Sequence, residues 1–269
     1  MSLASGEVWT PAIAAEGDQV IVAYIDMSEG PSRVTLREIS DGGERFSDAA
    51  PLERLAEGAY NPRQNQWSPS VSLRAGRAAI AFIDFRSFTW EVHGAFREAG
   101  AEAFSDVIRL DDAVDAAEPI HSDPTITLLE GGAALLAHTD LRVRREDYDP
   151  RVRLFSFADG GGIDEANESL SLASSDADGW SQWRPVIEAS GATIYAAFQD
   201  FRGGLNHIRF AISEDGGAHF SEDRALISGA EADAFSPIFL AGVGGSAPSI
   251  VFEATGSGRR QLALSALPH

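Results

Sequence analysis

A proline preceded two places earlier by an aromatic or polar residue returns five times along the chain, and this repeat limits the possible folds more than any other feature. The five segments are Trp9-Thr10-Pro11, Trp67-Ser68-Pro69, Ser122-Asp123-Pro124, Trp183-Arg184-Pro185 and Phe235-Ser236-Pro237, with successive prolines 58, 55, 61 and 52 residues apart. After each proline come a short alternating run, a Gly-rich turn and a second apolar run closing on an acidic residue, as in Val20-Ile21-Val22-Ala23-Tyr24-Ile25-Asp26. Asp26 and its counterparts Asp84, Asp140 and Asp200 stand 15, 15, 16 and 15 residues after their prolines, while the fifth unit has Glu253-Ala254 instead. A third run such as His207 to Ser213, a further Gly-rich turn and a fourth run such as Arg224 to Ser228 complete the unit. Four runs of period-two alternation with turn residues between them specify a small antiparallel sheet.

Five such sheets cannot each bury two faces alone, and radial packing covers them without long exposed edges. The reading is therefore all-β, one five-bladed β-propeller domain over residues 1–269, with blades starting near 9, 67, 122, 183 and 235. The fifth unit stops after its third run, Gln261 to Ser265. Residues 2–6, Ser-Leu-Ala-Ser-Gly, read like Ser171-Leu172-Ala173-Ser174 in the fourth run of unit three, so they are expected to supply the missing outer strand of the last blade. An open or truncated six-bladed ring is the alternative.

Composition narrows the chemistry. Against 41 acidic side chains stand 21 basic ones, all of them Arg, for a net charge of −20. That field repels phosphate backbones and anionic lipid, so nucleic acid and membrane surfaces are not expected partners. Without Lys or Cys there is no Schiff-base, amine or thiol catalysis and no thiolate metal site. The six histidines form no H-x-H or H-x-x-x-H pattern, and neither a metal nor a cofactor is expected. Met1 to Glu7 lacks a basic region followed by an apolar run, and no apolar stretch reaches the ~18 residues of a membrane span. A soluble chain is expected, either cytoplasmic or secreted after loss of a signal.

The turn Ser213-Glu214-Asp215-Gly216-Gly217-Ala218-His219-Phe220 resembles the Asp-box, the S-x-D-x-G-x-x-W/F hairpin of the bacterial neuraminidase repeat. Asp41-Gly42-Gly43-Glu44-Arg45-Phe46 is a near match with Ile39 in place of Ser, and remnants stand at Gly100 to Phe104 and Asp159-Gly160-Gly161. With the repeated A-[FY]-x-D-x-R segments, the chain is similar along its length to sialidase-like Asp-box propellers. Asp41 and Asp215 are read as turn-forming residues, since Gly supplies positive φ and Asp accepts backbone N–H groups.

Alternation of strand direction puts these hairpins on one rim and the D-x-R segments on the other. The D-x-R rim gathers Asp26, Asp84, Arg86, Asp140, Arg142, Asp200 and Arg202, with linkers carrying Tyr60, Asn65, Gln66, Trp67, His121, Asp123, Gln182 and Trp183 and a long loop from Arg144 to Pro150. The resemblance implies an active site on this rim and an Arg triad for a carboxylate, to which Arg86, Arg142 and Arg202 correspond. Each guanidinium is a planar fork matched to two oxygens. The same spacing also fits Asp–Arg pairs that hold the rim together.

Departures from the family are marked. The F/Y-R-I-P motif is missing, no Tyr follows Tyr195, and five units replace six. Ordinary sialidase activity is not expected. The leading expectation is non-catalytic recognition of a glycan or other polar, small ligand by Arg86, Arg142, Arg202, Trp67, Trp90, Trp183 and His121. A glycosidase using Asp84, Asp140, Asp200 or Tyr148, with Glu118 or Glu146 as a partner base, is the alternative. A protein-interaction platform is the second alternative.

Overall fold

The computed structural model describes residues 7–28, 30–40, 44–52, 65–111, 120–144, 147–157, 163–167, 170–173, 180–226, 233–240, 246–256 and 259–267. Five antiparallel sheets follow one another along the chain as the five blades of a β-propeller. Blade I holds β1 (Val8–Glu16), β2 (Gln19–Asp26) and β3 (Arg33–Ser40), with β4 (Arg45–Phe46) and β5 (Ala50–Pro51) both paired to β3. Blade II is β6 (Gln66–Arg74), β7 (Arg77–Asp84), β8 (Glu91–Arg97) and β9 (Ile108–Arg109). Blade III is β10 (His121–Leu128), β11 (Ala133–Arg144), β12 (Asp147–Phe157) and β13 (Ile163–Ala166), with β14 (Leu170–Ser171) also on β12. Blade IV is β15 (Gln182–Ser190), β16 (Thr193–Asp200), β17 (His207–Ser213) and β18 (Arg224–Ala225), and blade V is β19 (Asp233–Leu240), β20 (Ser249–Gly256) and β21 (Arg259–Ala266).

The first strand of every blade lies at the axis. One cavity of about 370 Å³ is lined by residues from all five, among them Ile13, Val71, Ile126, Ile187 and Ile238. The second strands of blades II, III and IV are covered on both faces by neighbouring blades, which explains their unbroken apolar runs. Residues 78–82 of β7 and 134–137 of β11 are fully buried. Four inter-blade cores are described. Ile21, Ile25 and Leu36 of blade I meet Ile80 and Phe82 of blade II. Ile83 and Val92 meet Ile126 and Leu136; Leu135 and Val152 meet Ile187 and Phe198; Tyr195 and Phe210 meet Ile250 and Phe252.

The repeated proline is a bulge device. In every first strand the register slips at this point, between Trp9 and Ala12, Trp67 and Ser70, Ser122 and Thr125, Trp183 and Val186, and Phe235 and Ile238. Proline has no N–H for the ladder, so two residues there oppose a single one on the second strand. The residue before each proline takes a left-handed conformation: Thr10, Ser68, Asp123, Arg184 and Ser236 have φ between 44° and 53°. Opposite the five bulges stand Tyr24, Phe82, His138, Phe198 and Phe252, all buried.

Polar stitches join neighbouring axial strands. Ser70 and Ser72 accept the backbone N–H groups of Ile126 and Leu128 at 3.1 and 3.0 Å, and Thr125 donates to the Pro185 carbonyl at 2.9 Å. Arg97 donates to both carboxylate oxygens of Glu38, one at 3.1 Å.

Some expectations need correction. The segment from Arg144 to Pro150, read as a long loop, is largely strand, because β11 and β12 run on until Arg144 pairs with Asp147. Trp9, whose place at the start of an inner strand suggests packing between adjacent blades, is 52% exposed. Other apolar side chains of blades I and V are exposed as well: Ile13 is 69% exposed, and on blade V Ile238, Leu262 and Leu264 are 59%, 79% and 67% exposed. Residues 2–6, the expected closing strand, lie outside the described residues. No helix among the described residues is long and apolar enough to cross a membrane.

Gly94 shows how closely β8 is packed. A Cβ there would lie 2.2 Å from the Ile80 carbonyl oxygen and 2.5 Å from Leu110 Cδ1, whereas one on Gly100 would meet nothing within 4 Å. Gly94→Ala is expected to destabilise the protein by about 3 kcal/mol through overpacking. Gly100→Ala should cost about 1–2 kcal/mol, from its positive φ alone. Urea unfolding of the two variants checks the order.

Candidate functional site

In blades I, II and IV the second strand delivers its terminal Asp to the same rim, where the carboxylate closes a short turn. Asp26 Oδ1 accepts the Ser28 N–H at 2.8 Å, and Asp84 and Asp200 accept the N–H groups of Arg86 and Arg202, each at 2.7 Å. The second oxygen takes the guanidinium. Arg86 Nη2 lies 2.7 Å from Asp84 Oδ2, and Arg202 Nε lies 2.7 Å from Asp200 Oδ2. Gln66 adds a further donor to Asp84 at 3.2 Å. Asp84, Asp140 and Asp200 are at most 1% exposed. Arg202 continues to Asp223 at 2.8 Å, where Arg209 also donates.

Two of the three expected ligand arginines therefore hold carboxylates of their own blades. Arg142 falls within β11, and its side chain lies outside the described residues, as do Tyr60, Glu118 and Glu146. Asp140 approaches Arg151, whose Nε is 3.9 Å from Oδ2, while Arg151 donates to Asp149 at 2.9 Å. Burial pushes the Asp149 carboxyl above its usual range, against the opposing pull of Ser171 and Arg151.

Aromatic residues cluster on the same rim. Trp183 stacks on Phe201, with centroids 6.5 Å apart at 28°, and meets Tyr148 edge-on at 6.1 Å and 75°. Trp90 packs against Phe85 at 5.2 Å, and Phe85 meets Phe88, which is 85% exposed. Trp67 is half-buried against the core between blades II and III. The left-handed residues of blades III, IV and V bring polar groups to the bulges beside them. Asp123 Oδ2 accepts from Ser122 at 3.0 Å and Thr139 at 3.4 Å and is partly exposed. Arg184 is exposed, and its Nη1 reaches Ser236 at 2.7 Å.

Sequence reasoning named Trp183 and Tyr148 but gave no role to Asp123, Arg184 or Phe201. The signal was available: the position before each proline reads Thr, Ser, Asp, Arg and Ser, so only two blades place a charge there. His121 and His138, far apart in sequence, come together by strand pairing, with ring centroids 5.0 Å apart.

At the opposite rim the Ser213–Phe220 turn is held from within. Ser213 Oγ accepts from Gly217 N at 2.8 Å and donates to Asp215 Oδ1, also at 2.8 Å. Asp215 accepts the His219 N–H at 2.9 Å, and this bond, with the His219 imidazole and Ser213, holds its carboxyl far below the usual range. An open hollow of about 780 Å³ lies beside this turn, lined by Tyr195, Phe210, Asp215, His219 and Arg224. It belongs to one blade, and its most acidic group is already spent on the turn.

No family model matches the sequence, and no curated protein matches it. Solved structures do. A Hadza microbial sialidase superimposes with a TM-score of 0.58 at 11% identity over 91% of this chain, which spans only 53% of that chain. The GH43 endo-arabinanase from Bacillus licheniformis gives 0.51 at 16% identity over 96% of this chain and 93% of its own. A protein of unknown function from Dyadobacter fermentans gives 0.63 at 9% identity, covering 91% and 75%. At such identities the likeness is one of fold.

The Asp200–Arg202–Asp223 network makes a stability prediction. Arg202→Ala leaves two buried carboxylates short of a cation and is expected to cost about 3 kcal/mol. Arg202→Lys, which loses the fork, should fall between it and wild type in thermal unfolding.

Proposed function

We propose that the protein is a glycan-directed β-propeller with glycoside hydrolase-like chemistry at the D-x-R rim. The observation that carries this reading is the aromatic wall of Tyr148, Trp183 and Phe201 on the rim that also presents Asp123 and Arg184. A sugar ring has an apolar face and a polar edge, and such a wall offers a platform for the first while charged groups orient the second. Asp123 is assigned the acid–base role and Tyr148 a hydroxyl on the same rim, the kind of group that a tyrosine-nucleophile glycosidase employs. The fold likeness to a sialidase and to an endo-arabinanase supports a glycosidic substrate over another polar ligand.

A binding-only reading has its own support. The repeated carboxylates Asp84, Asp140 and Asp200 are buried, and Asp84 and Asp200 are neutralised by arginine, which suits a scaffold better than a proton donor.

Chromogenic arabinosides and sialosides, with tryptophan-fluorescence titration of the matching oligosaccharides, separate these readings. Trp183→Ala is expected to weaken glycan binding about 10-fold, the equivalent of ~1.4 kcal/mol. Asp123→Asn should lower turnover by at least ~100-fold while leaving binding in place. Binding without turnover selects the lectin-like reading, and neither binding nor turnover on any glycan rejects both.

A further inference from the structure

Blade III departs from its siblings at two buried positions. The residue opposite the bulge is Tyr24, Phe82, Phe198 or Phe252 in the other blades but His138 here. The residue facing the terminal Asp across the ladder is Gln66 in blade II and Gln182 in blade IV but His121 here. Both imidazoles fall on the face that carries Asp140, since His138 and Asp140 are two apart on β11 and His121 pairs directly with Asp140. His121, His138 and Asp140 are at most 1% exposed, and one donor atom of each lies within 4.8 Å of the other two.

We propose that these three side chains form a structural site for a divalent transition metal of the zinc class. Two imidazoles and a carboxylate are a donor set of borderline hardness, suited to such ions and poorly suited to calcium or magnesium. Tetrahedral metal–ligand bonds of about 2.0–2.2 Å put donors roughly 3.4 Å apart, so donors now within 4.8 Å of one another must draw together by side-chain rotation. An outer partner stands ready: Asp111 Oδ2, fixed by the Val92 N–H at 2.8 Å, lies 3.4 Å from His121 Nε2. By accepting a hydrogen bond from a proton-bearing Nε2 of His121 it would hold one tautomer and leave Nδ1 for the ion. Arg151 is the competing cation near Asp140, and it has Asp149 as a second partner. With its donors buried, the ion clamps β10 to β11 beside blade II and has no substrate role.

Untagged protein stripped with chelator and titrated with Zn²⁺ alone is expected to take up one ion per chain by calorimetry and elemental analysis. Its unfolding midpoint should rise by about 5 °C or more at hundredfold excess over Kd. The H121Q/H138F variant gives blade III the Gln and Phe of blades II and IV; it should keep its far-ultraviolet dichroism and lose the ion. Asp140→Asn, which preserves shape, should weaken binding at least tenfold, and His219→Ala on the opposite rim should leave it unchanged. Absence of uptake by wild type overturns the proposal, as does undiminished uptake by either H121Q/H138F or Asp140→Asn. None of these readouts depends on glycan binding or turnover.

Discussion

The proline in each axial strand sets the geometry on which the rest depends. It removes one donor from the ladder, so the strand must bulge there and turn one residue into the left-handed region. The bulge needs a bulky ring beneath it, and the opposing second strand supplies one in every blade. The same slip orients the residue before the proline away from the regular pleat. A constraint on one backbone N–H thus determines both how the blade packs and which five side chains stand at the bulges.

The second organising interaction is electrostatic. A chain with 41 acidic and 21 basic residues has few cations to distribute, and it commits several of them to its own carboxylates, most of these buried. Arg86, Arg202 and Arg209 neutralise Asp84, Asp200 and Asp223, and Arg97 joins blade II to Glu38 of blade I. Arginine suits this work because its fork satisfies two oxygens at once and its charge survives burial. These pairs come at the expense of free guanidinium groups at the rim, so an anionic ligand would find fewer anchors there than the number of arginines implies.

The periodic part of this architecture was legible because the repeat is written in residues with stiff conformational requirements: proline, glycine and the terminal Asp. The five sheets, the axial first strands and the opposed rims all follow from it. What the spacing could not deliver was pairing in space. It left Arg86 and Arg202 open between ligand contact and pairing with their own Asp, because nothing in a D-x-R spacing says whether the guanidinium folds back or projects outward. It missed the meeting of His121 with His138, which depends on antiparallel register and not on a motif. It also read Arg144 to Pro150 as a loop, since charged residues in a strand beyond the sheet's covered zone look like loop residues.

Within a repeat, function should be sought where the symmetry fails. Residues present in every blade answer a need that every blade has, and the proline of the first strand is one of these. Blade III differs from the rest at the bulge, where Asp123 replaces Thr or Ser, beneath it, where His138 replaces an aromatic hydrocarbon or phenol, and across the ladder at His121. Blade IV differs by Arg184, beside the Trp183 that Tyr148 of blade III approaches. These departures concentrate in two adjacent blades on one rim, while blades I and II keep neutral hydroxyls before their prolines. Packing alone gives no reason for such asymmetry, because the same backbone is filled by Ser and Phe elsewhere in the ring. The proposed charge-bearing function on the III–IV side of the axis would account for it, with the buried face of blade III set apart from its siblings by its imidazoles.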